Sequence, residues 1–298
     1  MPAGLERERV RLLTGADLPL VERLLRTSEY VYQRFTLAEL PLLLQQYPAA
    51  GFVRDSSLHG FLLSQVSNPS TAWISGFGVS WSESRRHLTI LDMLLDHLSD
   101  PLHTRGARFL YYSGNDMTQD WLHDILLARA FEQYRSLFSY DKFDYGVPSQ
   151  GNPSVRLRPV DFLRADGGDM AALLAIEAAC FEELWRYDEA AFTMIAATHP
   201  YFVVAELDGR IVGYQFNALD GDAGYFIRIA VHPSAGGHGI GTRLLAEAMR
   251  FFARAHVTRI MLNTQDDNAR AHRLYEQFGF IRLPQRGFVL RRKLEIPN

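Results

Sequence analysis

Hydrophobic and polar positions in the second half of the chain fall into two periods. "YFVVAELDGRIVGYQFNAL" (201–219) alternates with period two on both sides of Asp208-Gly209, which is a hairpin signal. "GYFIRIAV" (224–231) reads as the next strand. Over 242–256 the period lengthens. Leu244, Leu245, Ala248 and Phe252 fall on one face, and Arg243, Glu247, Arg250 and Arg254 on the other, as in an amphipathic helix. "RIMLNT" (259–264) is a buried-strand run, 268–278 a second helix closed by Gly279, and "RGFVLRRKL" (286–294) a last strand. Upstream, the pattern predicts a strand at 155–158 and helices over about 169–180 and 187–198. A hairpin followed by alternating strands and helices predicts an α/β fold with a mixed sheet.

The first half repeats this order. "RVRLLTGADLPLVERLL" from Arg9 and "SVRLRPVDFLRADGGDMAALLAI" from Ser154 are each a short strand, a polar turn and an apolar helix, with Val10 matching Val155. "RAFEQY" (129–134) echoes "RLYEQF" (273–278), so that Phe131 faces Tyr275. The two matches are offset by 145 and 144 residues, which predicts a duplicated domain. "DYGVPSQGNPS" (144–154), with two prolines and two glycines, reads as a linker. The expected division is 1–146, a linker at 147–153, and 154–298.

Bulk properties narrow the function. A chain of 298 residues suits two domains. A formal net charge of −3 gives no pull toward nucleic acid or anionic membrane. One cysteine, Cys180, excludes an intrachain disulfide and a cysteine metal cluster. "MPAGLERERV" has no leader pattern, and no apolar run approaches a membrane span, so a cytoplasmic location is expected.

The chemistry is concentrated in "AVHPSAGGHGIGTRLL" (230–245), where Gly236, Gly237, Gly239 and Gly241 lie between a strand and a helix. A helix N-terminus leaves several N–H groups unpaired at its positive end. Glycines ahead of it let an anion approach the backbone, so the stretch reads as a phosphate cradle. A nucleotide-triphosphate loop would need lysine before Thr242. A dinucleotide fingerprint would need an acid about twenty residues on, where Leu262 stands. His232 and His238 flank the loop without metal-ligand spacing, and no metal is expected.

This stretch resembles the acyl-CoA signature of the GNAT superfamily of N-acetyltransferases, matching at Val231, Pro233, Gly239 and Gly241; Gly236 replaces the usual Arg or Gln. "NTQDDNARAHRLYEQFGF" (263–280) resembles the second cofactor motif of that superfamily at Asn268, Ala271, Leu274, Tyr275, Gly279 and Phe280. The resemblance covers the second half and implies two tandem GNAT-like domains, each a mixed, mostly antiparallel sheet flanked by helices. It implies acetyl-CoA as cosubstrate and direct attack by an amine of a small molecule or peptide. It further implies a coenzyme site made of Gly236, Gly237, His238, Gly239, Ile240, Gly241 and Thr242 with Asn268, and Arg243 as replacement for the missing basic residue. The thioester oxygen would meet the amide of Ala230 or Val231, and Tyr275 would give the leaving thiolate its proton.

The carboxylate that many relatives carry on the strand is absent, since Ile227 and Arg228 hold its place. The base is sought among Glu177, Glu182 and Glu183, or a water chain. Arg228, Glu182, Glu183 and Tyr187 are the candidate acceptor-binding residues. Cys180 reads as a packed small residue.

The first half has lost this equipment. Its loop, 81–87, has no glycine; Phe131 stands for Tyr275, and Asp124 for Asn268. Arg85, Arg86 and His87 retain an electrostatic route to phosphate. The expected role of this half is to shape the acceptor pocket or stabilise the second domain. The leading expectation is an N-acetyltransferase with its active site in the C-terminal half; the alternative is a non-catalytic acyl-CoA-binding or regulatory module.

Overall fold

The computed structural model describes residues 8–68, 70–163 and 168–294. The start read for a leader, up to Arg7, and residues 164–167 of the repeat lie outside the described residues. In chain order the first half forms β1 (Arg9–Leu12), α1 (Leu18–Thr27), β2 (Ser28–Gln33), α2 (Leu40–Gln46), β3 (Ala49–Arg54), β4 (Ser57–Asn68), β5 (Thr71–Ser80), α3 (His87–Thr104), β6 (Phe109–Gly114), α4 (His123–Leu127) and β7 (Glu132–Lys142). The second half forms β8 (Arg156–Pro159), α5 (Met170–Cys180), α6 (Glu189–Thr198), β9 (Tyr201–Leu207), β10 (Arg210–Asp220), β11 (Ala223–Val231), α7 (Ile240–Arg254), β12 (Arg259–Gln265), α8 (Ala269–Gln277) and β13 (Ile281–Lys293). Among the described residues no helix is long and apolar enough to cross a membrane.

The chain divides into two compact units, Met1–Arg135 with Phe288–Asn298, and Ser136–Gly287. The borders therefore differ from the expected 1–146 and 154–298, and the cause is an exchange of strands. Residues 137–142 of β7 pair with β12 in the second unit, and 288–293 of β13 pair with β6 in the first. The first unit runs β1-β3-β4-β5-β6 with the end of β13; the second runs β8-β9-β10-β11-β12 with the end of β7. Each is antiparallel except at one place, β5 with β6 and β11 with β12, so both sheets are mixed as expected.

Local chemistry accounts for the second unit. Asp208 and Gly209 take φ of 51° and 74°, the two left-handed positions of a tight hairpin turn. Asp188 caps α6 by accepting from the Ala191 amide at 2.8 Å. α7 buries Leu244, Leu245, Ala248, Met249 and Phe252, each large side chain contributing about 1.5–3 kcal/mol. On its outer side Glu247 gathers Arg250, Arg254 and the Tyr201 hydroxyl.

Apart from β2, which has no strand counterpart in the second unit, the units correspond element by element, with one correction to the sequence echo. The Arg129 and Phe131 amides donate to Leu126 O at 2.9 and 3.2 Å. The Phe278 and Phe280 amides donate in the same way to Tyr275 O at 3.0 and 3.1 Å. Ala130 and Gly279 both take positive φ. Leu126, not Phe131, stands at the place of Tyr275. Asp124 lies inside α4, against His123, rather than at the cap position of Asn268. α4 has five residues where α8 has nine, so equal spacing along the chain is not equal placement.

Candidate active site

β11 ends in a short 3-10 turn, Pro233–Ala235, and the chain then crosses the glycines into α7. Gly237 and Gly239 take φ of 82° and 71°, a region that costs other residues about 1–2 kcal/mol. The Gly236 amide is spent on Pro233 O at 3.1 Å. The amides of Gly237, His238, Gly239, Ile240, Gly241 and Thr242 make no hydrogen bond to any described residue. Six unpaired donors at the positive end of a fifteen-residue helix fit an anion. The expected linker is part of this loop. The Asn152 amide donates to Gly239 O at 3.3 Å, and a Cβ on Gly151 would fall 2.4 Å from the Arg243 nitrogen.

A pocket of about 450 Å³ opens beside the loop, with Gly236, Gly237 and Thr242 on one side and Arg270, Arg273 and Leu274 of α8 on the other. Arg270 Nη1 lies 3.7 Å from where a Cβ on Gly236 would sit. Positive charge thus reaches the place of the missing basic side chain from another element. Both arginines are exposed and form no ion pair with a described residue. Arg243, expected to compensate, does not line this pocket, and its Nε is buried without a partner. Asn268 is the cap of α8: its side chain accepts from the Ala271 amide at 3.2 Å and donates to Thr264 Oγ1 at 3.3 Å. Sequence reasoning missed Arg270 and Arg273, although their spacing of three, continued at Gln277, marks one helix face.

β11 keeps a free edge. It pairs with β12 only at 223–225, and beyond that the strands diverge. On the other side, His232 N donates to Val212 O at 2.8 Å, which fixes the alternation of the ladder. The Tyr214–Ala230 pair is then a bonded one, so the Ala230 amide is consumed by β10. The amides of Ile229 and Val231 point toward the divergence. A bulge at Ile227 puts Arg228 on the face of Phe216 and Tyr214.

Tyr275 projects from α8 into the core and is 5% exposed. Its ring lies 6.0 Å from Tyr140, 6.2 Å from Phe226 of β11 and 5.9 Å from Phe280, centre to centre. Its hydroxyl makes no hydrogen bond to a described residue. Burial, then the neighbouring Tyr140, pushes its pKa up, so the phenol keeps its proton through the neutral range.

Of the acceptor candidates, Arg228 and Tyr187 come together while Glu182 and Glu183 stand exposed around the turn Glu183–Trp185. The Arg228 guanidinium lies between the rings of Phe181 (3.9 Å) and Tyr187 (4.2 Å). It pairs with Glu177 at 3.3 Å and donates to Trp185 O. Glu177, 1% exposed, also accepts from the Tyr187 amide at 2.8 Å and from the Tyr214 hydroxyl. A carboxylate closed from solvent and engaged by three donors is not placed to reach an amine. Glu177 and Arg228 hold α5, β11 and the 181–187 segment together. Arg228→Met is expected to lower stability by about 3–5 kcal/mol, because it strands a buried charge. A thermal melt checks this; an unchanged Tm with a raised acceptor KM would return Arg228 to substrate binding. Cys180 donates its thiol to Val231 O at 3.3 Å, and burial together with Glu177 pushes its pKa up to about 11, so it is a packed thiol and no nucleophile at neutral pH.

Known proteins resemble the chain in sequence and in fold. Residues 170–280 match the acetyltransferase (GNAT) family model. A protein named mycothiol acetyltransferase from Sanguibacter keddieii is 28% identical over 91% of each chain. Among solved structures, a tandem GNAT protein from the clavulanic acid biosynthesis pathway superposes with a TM-score of 0.65 at 14% identity, covering 98% of this chain and 100% of its own. A GCN5-related N-acetyltransferase from Sphaerobacter thermophilus does so with 0.64 at 15% identity, covering 99% and 98%. Over residues 170–280 the chain is thus similar to the GNAT acetyltransferases, and its fold is that of the tandem GNAT proteins.

Proposed function

We propose that the protein moves an acetyl group from acetyl-CoA to an amine by direct attack, with the active site in the unit Ser136–Gly287. The observation that carries this reading is the run of six unpaired amides at the start of α7, beside the free edge of β11. In this reading the amides and the Arg270 and Arg273 charges hold the diphosphate. The Val231 amide polarises the thioester carbonyl as an oxyanion-type donor. The amine nitrogen bonds to the carbonyl carbon, the carbon–sulfur bond breaks, and the amine proton leaves to water or a base of the acceptor pocket. Tyr275 donates to the sulfur as charge builds there and recovers its proton from solvent.

The relative named for mycothiol points first to small-molecule amines, with peptide amines next. Thiol release from acetyl-CoA across an amine panel tests the activity. The second reading, a non-catalytic acyl-CoA-binding module, is favoured by Arg228 standing where relatives carry a strand carboxylate; coenzyme binding with no turnover on any amine would select it. Replacing Arg270 and Arg273 together by alanine is expected to weaken CoA about 5–30-fold, at roughly 0.5–1 kcal/mol for each exposed charge. It should also flatten the salt dependence of binding. Calorimetry at two ionic strengths checks this.

A further inference from the structure

The first unit reproduces the frame of this site and then closes it. β5 and β6 pair in parallel only at 71–73 and 109–111, as β11 and β12 do at 223–225 and 259–261. The ladder of β4 with β5 steps from Leu63–Gly76 to Ser64–Ile74, a bulge at Ser75 that matches Ile227. Phe77 and Val79 therefore stand where Ile229 and Val231 stand.

Here the edge is taken. β2 runs antiparallel to β5 with Tyr30 opposite Val79, Tyr32 opposite Phe77 and Gln33 opposite Gly76. The Arg34 amide donates to Ser75 O at 2.9 Å, which fixes the alternation and sends the Phe77 and Val79 amides to β2. On its other side β2 is tied to β6: the Tyr32 hydroxyl donates to Ser113 O at 3.3 Å, and Arg34 donates to the Ser113 carbonyl and hydroxyl. The Tyr30 ring stacks on His87 at 4.1 Å and lies 5.4 Å from Trp121.

The phosphate end is closed by charge. In place of the glycine loop stands the turn Trp81–Arg86, and its Glu83, 2% exposed, is held by Arg54 at 2.5 Å and Arg86 at 3.3 Å. Arg86 is further occupied by both oxygens of Glu8, at 2.6 and 2.9 Å. Of the three basic residues expected to keep a route to phosphate, Arg86 is committed to carboxylates, His87 is stacked, and Arg85 stays exposed. A buried carboxylate, Glu83, thus stands in the turn that takes the place of the glycine loop.

We infer that β2 is a built-in occupant of the first cleft, a strand lying where the thioester arm of a coenzyme would otherwise lie, and that the chain binds one acetyl-CoA, in the second unit. This rests on the reading of the second unit given above. Two measurements on the full chain keep the two claims separate. Native mass spectrometry with CoA should show one equivalent per chain. Hydrogen exchange should show the Phe77 and Val79 amides slow without ligand and unchanged by CoA, while Ile229, Val231 and the 237–242 amides exchange fast and slow down on adding it. Two equivalents, CoA-dependent protection at 76–86, or fast exchange at Phe77 and Val79 in the free protein would overturn the inference. No binding at all would overturn the reading of the second unit, and slow exchange at Phe77 and Val79 would still uphold β2 as occupant.

Discussion

Tyr275→Phe is expected to lower kcat by about 10²–10³-fold, within the range for loss of a general acid, and to leave the Kd for acetyl-CoA within a few-fold. The ring supplies the packing against Tyr140, Phe226 and Phe280, and phenylalanine keeps it. Only the hydroxyl is lost, and that hydroxyl has no structural partner among the described residues. The pH profile gives a second check. Burial raises the Tyr275 pKa, so its protonated, donating form persists above the ~10 of an ordinary tyrosine. The wild-type rate should climb with pH as the amine deprotonates and show no falling limb below about pH 10. Steady-state kinetics of the pair across pH 6–10 decides the matter. Equal kcat in the variant would remove Tyr275 as the acid.

Gly239→Val should act on binding instead. Gly239 has φ of 71° and is the N-cap of α7, and a Cβ there would meet the Asn152 amide at 3.2 Å. A β-branched residue pays at least the ~1–2 kcal/mol of the left-handed region, or twists the loop and disperses the free amides. CoA affinity is expected to fall about 10–100-fold, with the melting temperature lowered by a few degrees. Calorimetry with CoA, with a thermal scan alongside, measures both. Full affinity in the variant would show that the diphosphate is held elsewhere.

Much of the second unit was legible because its information is local. The Asp208-Gly209 turn, the helical face of α7 and the glycines before it each declare themselves within a few residues, and two of those glycines, Gly237 and Gly239, fall where positive φ is required. What was hidden depends on distant partners. Arg228 read as an acceptor-binding residue because Glu177, its counter-charge, is 51 residues away. Arg270 and Arg273 drew no site assignment, since only folding brings α8 beside Gly236. The hexapeptide echo misled because α4 is shorter than α8, and a sequence match does not register lost turns of helix. β2 carried no strand assignment: "SEYVYQ" is short, and its partner β5 lies more than forty residues on.

The crossing of β7 and β13 has a bearing on ancestry. Each half of the chain supplies the last strand of the other half's sheet. Neither half can then be deleted, shuffled or inherited singly without leaving the survivor incomplete. Selection acting on either half is then enough to keep the other folded.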